Sequence, residues 1–289
     1  MRLLITGANG FLGKKLIKVL SIEHEVIGTS STSAIPRLTK LDLRSPRNIK
    51  KTLLDIKPDA IIHAAAITNI GYCEDNKRRA RLVNIEGTKQ LAYICKAEKI
   101  KMFYISTDYV FSGQHSPYSE RKKAHPINYY GLTKLEAEES VKKILSDYCI
   151  IRPAILYGYN DSHNRGTFVT QVLNSLKAGK KIAVDNYRIK YPTLIDDVAK
   201  GFLWLLKEGK KGIFHFSNHQ SMTRYQWALK IAEVFGYSPH KILADNSGGE
   251  KRASMPYKVE LISARRLAVK FTRVKAGLKM IKFQMEQSS

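Results

Sequence analysis

Residues 3–13 read Leu3-Leu4-Ile5-Thr6-Gly7-Ala8-Asn9-Gly10-Phe11-Leu12-Gly13, a short apolar run followed by a glycine-rich turn. The apolar run is typical of a strand buried on both faces. After the turn, Phe11, Leu12 and Leu16 recur at helical spacing, which predicts a helix. The segment therefore predicts a strand, a tight turn and a helix, the opening of a nucleotide-binding βαβ unit.

The three glycines of this turn have separate predicted roles. Gly7 permits a sharp turn, Gly10 lets a pyrophosphate approach the helix N-terminus, and Gly13 lets helix and strand pack closely. The spacing is G-x-x-G-x-x-G rather than the commoner G-x-G-x-x-G. The predicted cofactor-binding residues of the turn are Gly7, Asn9, Gly10, Phe11, Leu12 and Gly13.

The end of the next strand-like run, residues 25–29, bears on the choice of cofactor. An NAD site places Asp or Glu near this point to hold the ribose 2′-hydroxyl. This chain instead reads Thr29-Ser30-Ser31-Thr32-Ser33, with Arg37 a little beyond. Hydroxyls and a nearby cation suit a 2′-phosphate. We therefore expect NADPH, with NADH possible, and we expect Ser30 to contact it.

Strand-like and helix-like segments alternate along the chain, which predicts an α/β Rossmann fold with a doubly wound parallel sheet. A helix capped by Ser45 should run to about Ile56, and a long helix should span residues 76–99. Beyond Arg152 the connections become longer and more polar. We expect residues 1–152 to form an NAD(P)-binding Rossmann domain, and residues 153–289 to form mainly a smaller, interleaved substrate-binding lobe with segments that return to the sheet.

Small and polar residues follow several predicted strands. Ligands of open α/β sheets bind outside the carboxyl ends of the strands, so these positions are candidates for chemistry. The small side chains of Ala64 to Ala66 let a cofactor lie close to the backbone, and a hydroxyl of Ser106 or Thr107 could hydrogen-bond a substrate carbonyl. The candidates are Asp42, Leu43, Ala64, Ala65, Ala66, Ser106, Thr107 and Asp108.

Tyr130 and Lys134 lie four residues apart in a stretch that reads as helix, so both side chains should project from one face. A lysine ammonium beside a tyrosine favours the phenolate and should lower the pKa of the hydroxyl. The pair then forms a proton donor. A pair at this spacing also occurs on ordinary solvated helix faces, so the interpretation depends on the glycine turn.

Composition limits the alternatives. The chain has 289 residues, 49 Lys and Arg, 25 Asp and Glu, and a formal net charge of +24. Its basic residues are spread over helix faces without a nucleic-acid-reading motif, so a nucleic-acid partner is disfavoured. Seven basic residues and no acid occupy residues 265–282, which is read as a solvated helical end, with docking of a polyanion as the alternative.

The sequence also lacks the patterns of membrane spans, disulfide frameworks and metal sites. The apolar stretches are shorter than a membrane span, and Met1 leads directly into a predicted core strand, so we expect a cytoplasmic protein. The cysteines Cys73, Cys95 and Cys149 lack metal-ligand spacing and should be buried free thiols. The scattered histidines and acids predict no required metal, and His63 should be a hydrogen-bonded core residue.

The motifs resemble an extended short-chain dehydrogenase/reductase, whose hallmarks are T-G-x-x-G-x-x-G and the Ser/Thr and Tyr-x-x-x-Lys set. Here those are Thr6 to Gly13, Thr107, Tyr130 and Lys134. Within that superfamily the chain is similar to the dTDP-4-dehydrorhamnose reductases. The segments that carry this likeness are residues 106–113, 117–120, 130–136, 191–193 and 196–199.

The resemblance implies the roles of these residues. Gly10, Phe11 and Leu12 would lie at the cofactor phosphates, Asp42 and Leu43 near the adenine, and Ala64 to Ala66 beside the nicotinamide. Thr107, Tyr130 and Lys134 would be catalytic, and Tyr130 and Lys134 would also contact the cofactor. The substrate would be a nucleotide-linked 4-keto-6-deoxy sugar whose C4 ketone accepts a hydride in deoxysugar biosynthesis.

Two alternatives stay open. The reductases often carry a Trp after the Arg-Thr/Pro pair, whereas this chain reads Arg152-Pro153-Ala154-Ile155-Leu156-Tyr157-Gly158. That segment and residues 212–217 resemble the regulatory β subunit of methionine adenosyltransferase. The chain could thus be a cofactor-binding regulatory subunit that associates with another enzyme, or a reductase or epimerase of another nucleotide sugar. A homodimer or association with a pathway enzyme is possible in each case.

Overall fold

The computed structural model describes residues 1–32, 36–159, 166–247 and 254–287. Ser33, at the end of the hydroxyl-rich run, lies outside the described residues. The strands are β1 Arg2–Thr6, β2 Glu25–Ser30, β3 Thr39–Lys40, β4 Ala60–His63, β5 Lys101–Ile105, β6 Tyr148–Pro153, β7 Leu156–Tyr157, β8 Ile182–Asp185, β9 Ile189–Lys190, β10 Thr193–Leu194, β11 Gly212–Phe216, β12 Met222–Thr223 and β13 Ile242–Asp245. The helices are α1 Phe11–Leu20, α2 Pro46–Ile56, α3 Ile70–Asp75, α4 Lys77–Arg81, α5 Gly87–Ala97, α6 Tyr129–Ile144, α7 Phe168–Lys177, α8 Ile195–Lys207, α9 Arg224–Phe235 and α10 Val274–Glu286.

Seven strands form one parallel sheet in the order β11-β6-β5-β4-β1-β2-β3. The order 3-2-1-4-5-6 is that of a dinucleotide-binding Rossmann sheet, extended here by β11. The predicted doubly wound α/β fold is confirmed. Because the strand order reverses between β1 and β4, a crevice opens at the carboxyl ends of these two strands.

Side chains of successive strand residues point to opposite faces, and each face packs against its own helices. Leu3, Ile5 and Phe103 lie in one buried cluster with residues of α1 and α8. Leu4 and Met102 lie in a second cluster with residues of α2, α5 and α6. The sheet is thus covered on both faces, which explains why its strands read as continuous apolar runs.

The C-terminal half contributes both to this sheet and to a separate core. Strand β11 pairs with β6, whereas α7, α9 and α10 pack together around Trp227, which is fully buried. The basic tail is part of that packing. Val274, Leu278 and Ile281 face inward from α10, and the guanidinium of Arg265 lies 4.7 Å from the ring centroid of Phe214.

The predicted long helix over residues 76–99 is interrupted. Helix α4 passes into a π-helical turn, Leu82–Glu86, before α5 begins, and a separate short helix, α3, precedes it. A π turn inserts one residue into the helical repeat, which helical periodicity in the sequence does not reveal.

The structure shows the state of the three cysteines and the character of the helices. Cys73, Cys95 and Cys149 are buried and free. Within the described ranges, no helix has both the length and the apolar character needed to span a bilayer.

Candidate active site

The glycine turn follows β1 and fills the crevice beside β4. Gly7 has a φ of 68°, and a Cβ there would lie 2.8 Å from the backbone nitrogen of Ala65. A Cβ on Gly13 would overlap the carbonyl oxygen of Gly7. Both glycines are therefore required by close backbone approach, and the backbone of Ala64 and Ala65 lies against Gly7.

Helix α1 begins where a phosphate could bind. Its N-cap is Gly10, which has no side-chain capping hydrogen bond, so the first-turn N–H groups of Phe11 and Leu12 are not covered by a cap. A Cβ on Gly10 would lie 3.0 Å from the Gly7 carbonyl oxygen. A glycine cradle at an uncapped helix N-terminus fits the diphosphate of a dinucleotide.

The other cofactor candidates surround the ends of β2 and β3. Ser30 is buried, and its hydroxyl accepts a hydrogen bond of 3.2 Å from the backbone N–H of Thr32. The guanidinium of Arg44 bonds Asp42 at 2.7 Å and lowers the pKa of that carboxyl. Leu43 is buried against Gly87. The chain near the ends of β2 and β3 thus carries hydroxyls, a carboxylate and an apolar side chain.

His63 is buried at the end of β4, and both of its ring nitrogens are hydrogen-bonded. Thr88 donates its hydroxyl hydrogen to the carbonyl of Asn84, so its oxygen accepts from Nε2 of His63 at 3.0 Å. Nδ1 then accepts from the hydroxyl of Thr6 at 2.7 Å, and Thr6 accepts from the N–H of Ala65 at 3.1 Å. This neutral, buried histidine links β1 to the alanine segment, as the interpretation of His63 as a core residue predicts.

Asn84 lies in the π turn and contacts both the loop after β4 and helix α6. Its side-chain oxygen accepts from the N–H of Ile67 at 2.8 Å, and its nitrogen donates to the carbonyl of Ile67 at 3.0 Å and to the hydroxyl of Thr133 at 3.0 Å. Asn84 therefore ties the loop after β4 to helix α6. Sequence reasoning missed this residue because no motif marks it; the signal is the π turn itself.

Helix α6 is anchored at its N-terminus by two side chains. Asn128 accepts from the N–H of Gly131 at 2.8 Å, and the carboxylate of Glu74 accepts from the N–H of Tyr129 at 2.7 Å. Tyr130 and Lys134 then follow on one inward face, with 8% and 3% of their surface exposed. The Lys134 ammonium lies 4.2 Å from the ring centroid of Tyr104.

Thr107 follows the carboxyl end of β5 and lies near Tyr130. Its hydroxyl donates to the Asp108 carboxylate at 3.1 Å and accepts from the N–H of Tyr109 at 3.3 Å, and it lies near enough to Tyr130 to oppose part of the rise in the pKa of that phenol. The structure thus brings together Thr107, Tyr130 and Lys134 at the carboxyl end of the sheet.

The expectation that Lys134 lowers the pKa of Tyr130 is wrong, because the pKa of Tyr130 is raised. Burial raises the pKa of Tyr130, because a phenolate would be desolvated there. Burial also lowers the pKa of Lys134 to about 7, against the opposing effect of Glu138. Tyr130 is consequently held in its protonated form, which is the form that an acid requires.

Ser106 does not face the crevice. Its hydroxyl donates to Glu138, which is fully buried and forms a bidentate ion pair with Arg152 at 2.9 and 2.5 Å. The expected contact of Ser106 with a substrate carbonyl is therefore not supported, because this hydroxyl is used inside the core. Thr107 is the hydroxyl that remains beside Tyr130.

Comparisons with known proteins agree with this geometry. The family described as RmlD substrate binding domain matches residues 1–277. A dTDP-4-keto-6-deoxy-D-glucose reductase of Streptomyces niveus is 31% identical over 87% of this chain and 86% of its own. Methionine adenosyltransferase 2 subunit beta of Xenopus laevis is 32% identical over 81% of this chain and 72% of its own.

A solved structure extends the likeness over nearly the whole chain. The dTDP-4-dehydrorhamnose reductase of Bacillus anthracis str. Ames, in complex with NADP, superposes with a TM-score of 0.88 at 27% identity and covers 98% of this chain and 99% of that chain. The resemblance stated from the motifs is confirmed. The chain belongs to the RmlD substrate-binding domain family, within the extended short-chain dehydrogenase/reductases.

Proposed function

We propose that this protein reduces the C4 ketone of a nucleotide-linked 4-keto-6-deoxy sugar with NADPH. The observation that carries the proposal is the joint burial of Thr107, Tyr130 and Lys134, with Thr107 at the carboxyl end of the same sheet whose first strand leads into the glycine turn. A regulatory protein does not require an acid held in its protonated form. Relatives named as sugar-nucleotide reductases support the same substrate class.

Each residue has a defined part in the reaction. When bound, NADPH supplies the hydride that attacks the ketone carbon. Thr107 donates a hydrogen bond to the ketone oxygen, and Tyr130 transfers its proton to that oxygen as negative charge develops. The Lys134 ammonium stabilises the phenolate that remains. The product is the C4 alcohol.

The surroundings suit an anionic substrate. Arg188 and Arg224 both act electrostatically on Tyr109, next to the proposed substrate position. Arg188 is paired with Asp185 at 2.7 Å, so Arg224 and the net charge of +24 are the sources of a positive field that attracts a nucleotide diphosphate.

NADPH is the preferred cofactor in this proposal. The hydroxyl of Ser30 and the exposed Arg37 occur where the 2′-phosphate of the cofactor would lie, and the Bacillus anthracis relative was solved with NADP. The chain has no acid at the end of β2 to favour NADH.

The test is to mix the purified protein with NADPH and freshly made dTDP-4-keto-6-deoxyglucose and to follow absorbance at the nicotinamide band. We expect a fall that requires the sugar. The UDP-linked sugar, assayed in parallel, identifies the nucleotide. Absence of a fall with both sugars, in protein that binds NADPH, would contradict the proposal.

A second candidate is a cofactor-binding regulatory subunit. The specific observation that favours it is the 32% identity to methionine adenosyltransferase 2 subunit beta. Mixing the chain with a methionine adenosyltransferase catalytic subunit tests it. A stable complex with altered kinetics, together with no ketone reduction, would favour the regulatory function.

A further inference from the structure

Asp108 and Lys190 are two charged side chains that line one small cavity beside the proposed ketone position. Lys190 ends β9 in the C-terminal half, whereas Asp108 follows β5 of the Rossmann sheet. The remaining walls are Tyr109, Ile189, Tyr191, Pro256 and Val259. Nothing in the motifs of the chain assigns a role to Lys190.

We propose that Asp108 and Lys190 together bind the hydroxyl on the sugar carbon next to the ketone, so that the substrate class is a 4-keto sugar with a free 3-hydroxyl. This inference rests on the proposed function and specifies its substrate.

The position of Asp108 relative to Thr107 sets which sugar atom it can meet. Its carboxylate oxygen lies 3.1 Å from the Thr107 hydroxyl oxygen. Oxygens on adjacent ring carbons of a pyranose are also about one hydrogen-bond length, roughly 3 Å, apart. If Thr107 bonds the ketone oxygen at C4, Asp108 is therefore within reach of the hydroxyl at C3.

Lys190 has unused hydrogen-bonding capacity. The residue is only 9% exposed, and its ammonium lies 5.6 Å from the ring centroid of Tyr109. Among the described residues, no hydrogen bond or ion pair of this ammonium is present, although Asp108 attracts it electrostatically. A buried ammonium with three donors is costly unless a partner accepts from it.

The cavity has the size of the sugar hydroxyl that we propose it binds. Its volume is about 10 Å³, which is about the space of a single water-sized oxygen. A hydroxyl donates one hydrogen bond and accepts others, so it can satisfy the carboxylate and the ammonium at once. A phosphate would fit neither the volume nor the negative charge of Asp108.

The charges around the pair are consistent with this assignment. Arg188, Arg224 and Asp185 act on Lys190, and Tyr109 and Tyr130 lie against Asp108. Burial lowers the pKa of Lys190 to about 8 and raises that of Asp108 to about 6, so both groups are charged near neutral pH. Both groups are then in the form that binds a hydroxyl most strongly.

Binding the sugar also releases Thr107. In the ligand-free protein Thr107 donates its hydrogen to Asp108. When the 3-hydroxyl donates to Asp108 in its place, the Thr107 hydroxyl is free to turn toward the ketone. The same hydroxyl that identifies the substrate would thus complete the site.

The experiment measures calorimetric binding of dTDP-glucose and of dTDP-3-deoxyglucose to the NADP⁺-loaded protein. We expect the wild type to favour the 3-hydroxy sugar by about tenfold to a hundredfold, as for a hydrogen bond to a charged group. Asp108→Asn and Lys190→Met should each bring that ratio close to one. Asp55→Asn and Lys51→Met, which alter exposed residues of α2, should keep it.

The ratio separates this role from a general loss of structure, because partial unfolding weakens both sugars equally. A wild type that binds both sugars equally overturns the inference and leaves the proposed function intact. A wild type that binds neither sugar also overturns the inference, and the ketone-reduction assay decides the proposed function separately.

Discussion

Glu138 and Arg152 form an ion pair in which 0% and 3% of the two side chains are exposed, one helical turn beyond Lys134. The pair joins β6 to helix α6, the helix that carries the proposed acid. Glu138 is also the charge that most opposes the loss of the Lys134 proton. The site is therefore built on a buried charge network and not only on the residues that face the crevice.

Removing one charge of this pair should destabilise the fold. For Glu138→Gln we expect the free energy of unfolding to fall by about 3–5 kcal/mol, because Arg152 is left as an uncompensated buried charge. Urea denaturation measures this. The control is Glu139→Gln, the neighbouring residue, whose bond to Lys142 is exposed and should contribute less than about 1 kcal/mol. Equal effects of both substitutions would contradict the prediction.

Replacing the proposed acid should abolish reduction. For Tyr130→Phe we expect kcat to fall by about 10²–10⁴-fold, because the hydroxyl that donates the proton is lost, while NADPH binding is retained. Ketone reduction and cofactor fluorescence measure the two properties. Tyr129→Phe changes the adjacent tyrosine, which contacts Lys77 outside the site, and should keep its activity. Unchanged turnover in Tyr130→Phe would remove that residue from the mechanism.

The rate should depend on the protonation of Lys134. Its pKa of about 7 means that the ammonium is lost as the pH rises through that value in the free enzyme. Because the ammonium stabilises the Tyr130 phenolate, kcat/KM should fall above about pH 7. A pH profile of kcat/KM for NADPH, which reports groups of the free enzyme, measures it. A profile that stays level up to pH 9 would contradict this role of Lys134.

The glycine turn should be intolerant of a single methyl group. In Gly13→Ala the new Cβ would overlap the Gly7 carbonyl, so helix α1 must move and NADPH affinity should fall at least tenfold. Isothermal titration measures the affinity. In the control, Gly71→Ala, the nearest atom to the new Cβ is 3.6 Å away, and binding should be unchanged. Normal NADPH binding by Gly13→Ala would show that the turn does not hold the cofactor.

The stability of the protein should fall in weak acid because of His63. Burial lowers the pKa of His63 from 6.5 to about 3. Between these values the unfolded chain binds a proton that the folded chain lacks, so the unfolding free energy falls as the pH falls, by up to about 1.4 kcal/mol per pH unit. His63→Gln should reduce this slope, as followed by urea denaturation from pH 7 to pH 4. Identical slopes in the wild type and in His63→Gln would show that another group binds the proton.

Local sequence features determined a large part of this fold. The glycine spacing, the apolar runs and the cap at Ser45 each act within a few residues, and the sheet order and helix α2 agree with them. Tyr130 and Lys134 could be selected because helical spacing alone puts them on one face.

Other features depended on residues far apart in the chain. The π turn that positions Asn84, the use of Ser106 by Glu138, and the approach of Lys190 to Asp108 have no local signature. Nor could the sequence say that burial dominates the pKa of Tyr130, because desolvation depends on everything packed around a group. The sequence by itself determined the glycine turn and the strands and helices other than the interrupted helix over residues 76–99, since short-range sterics and hydrophobic periodicity act along the chain. Only the tertiary structure decided which polar side chains are free for chemistry, since hydrogen-bond partners and burial are set by packing across it.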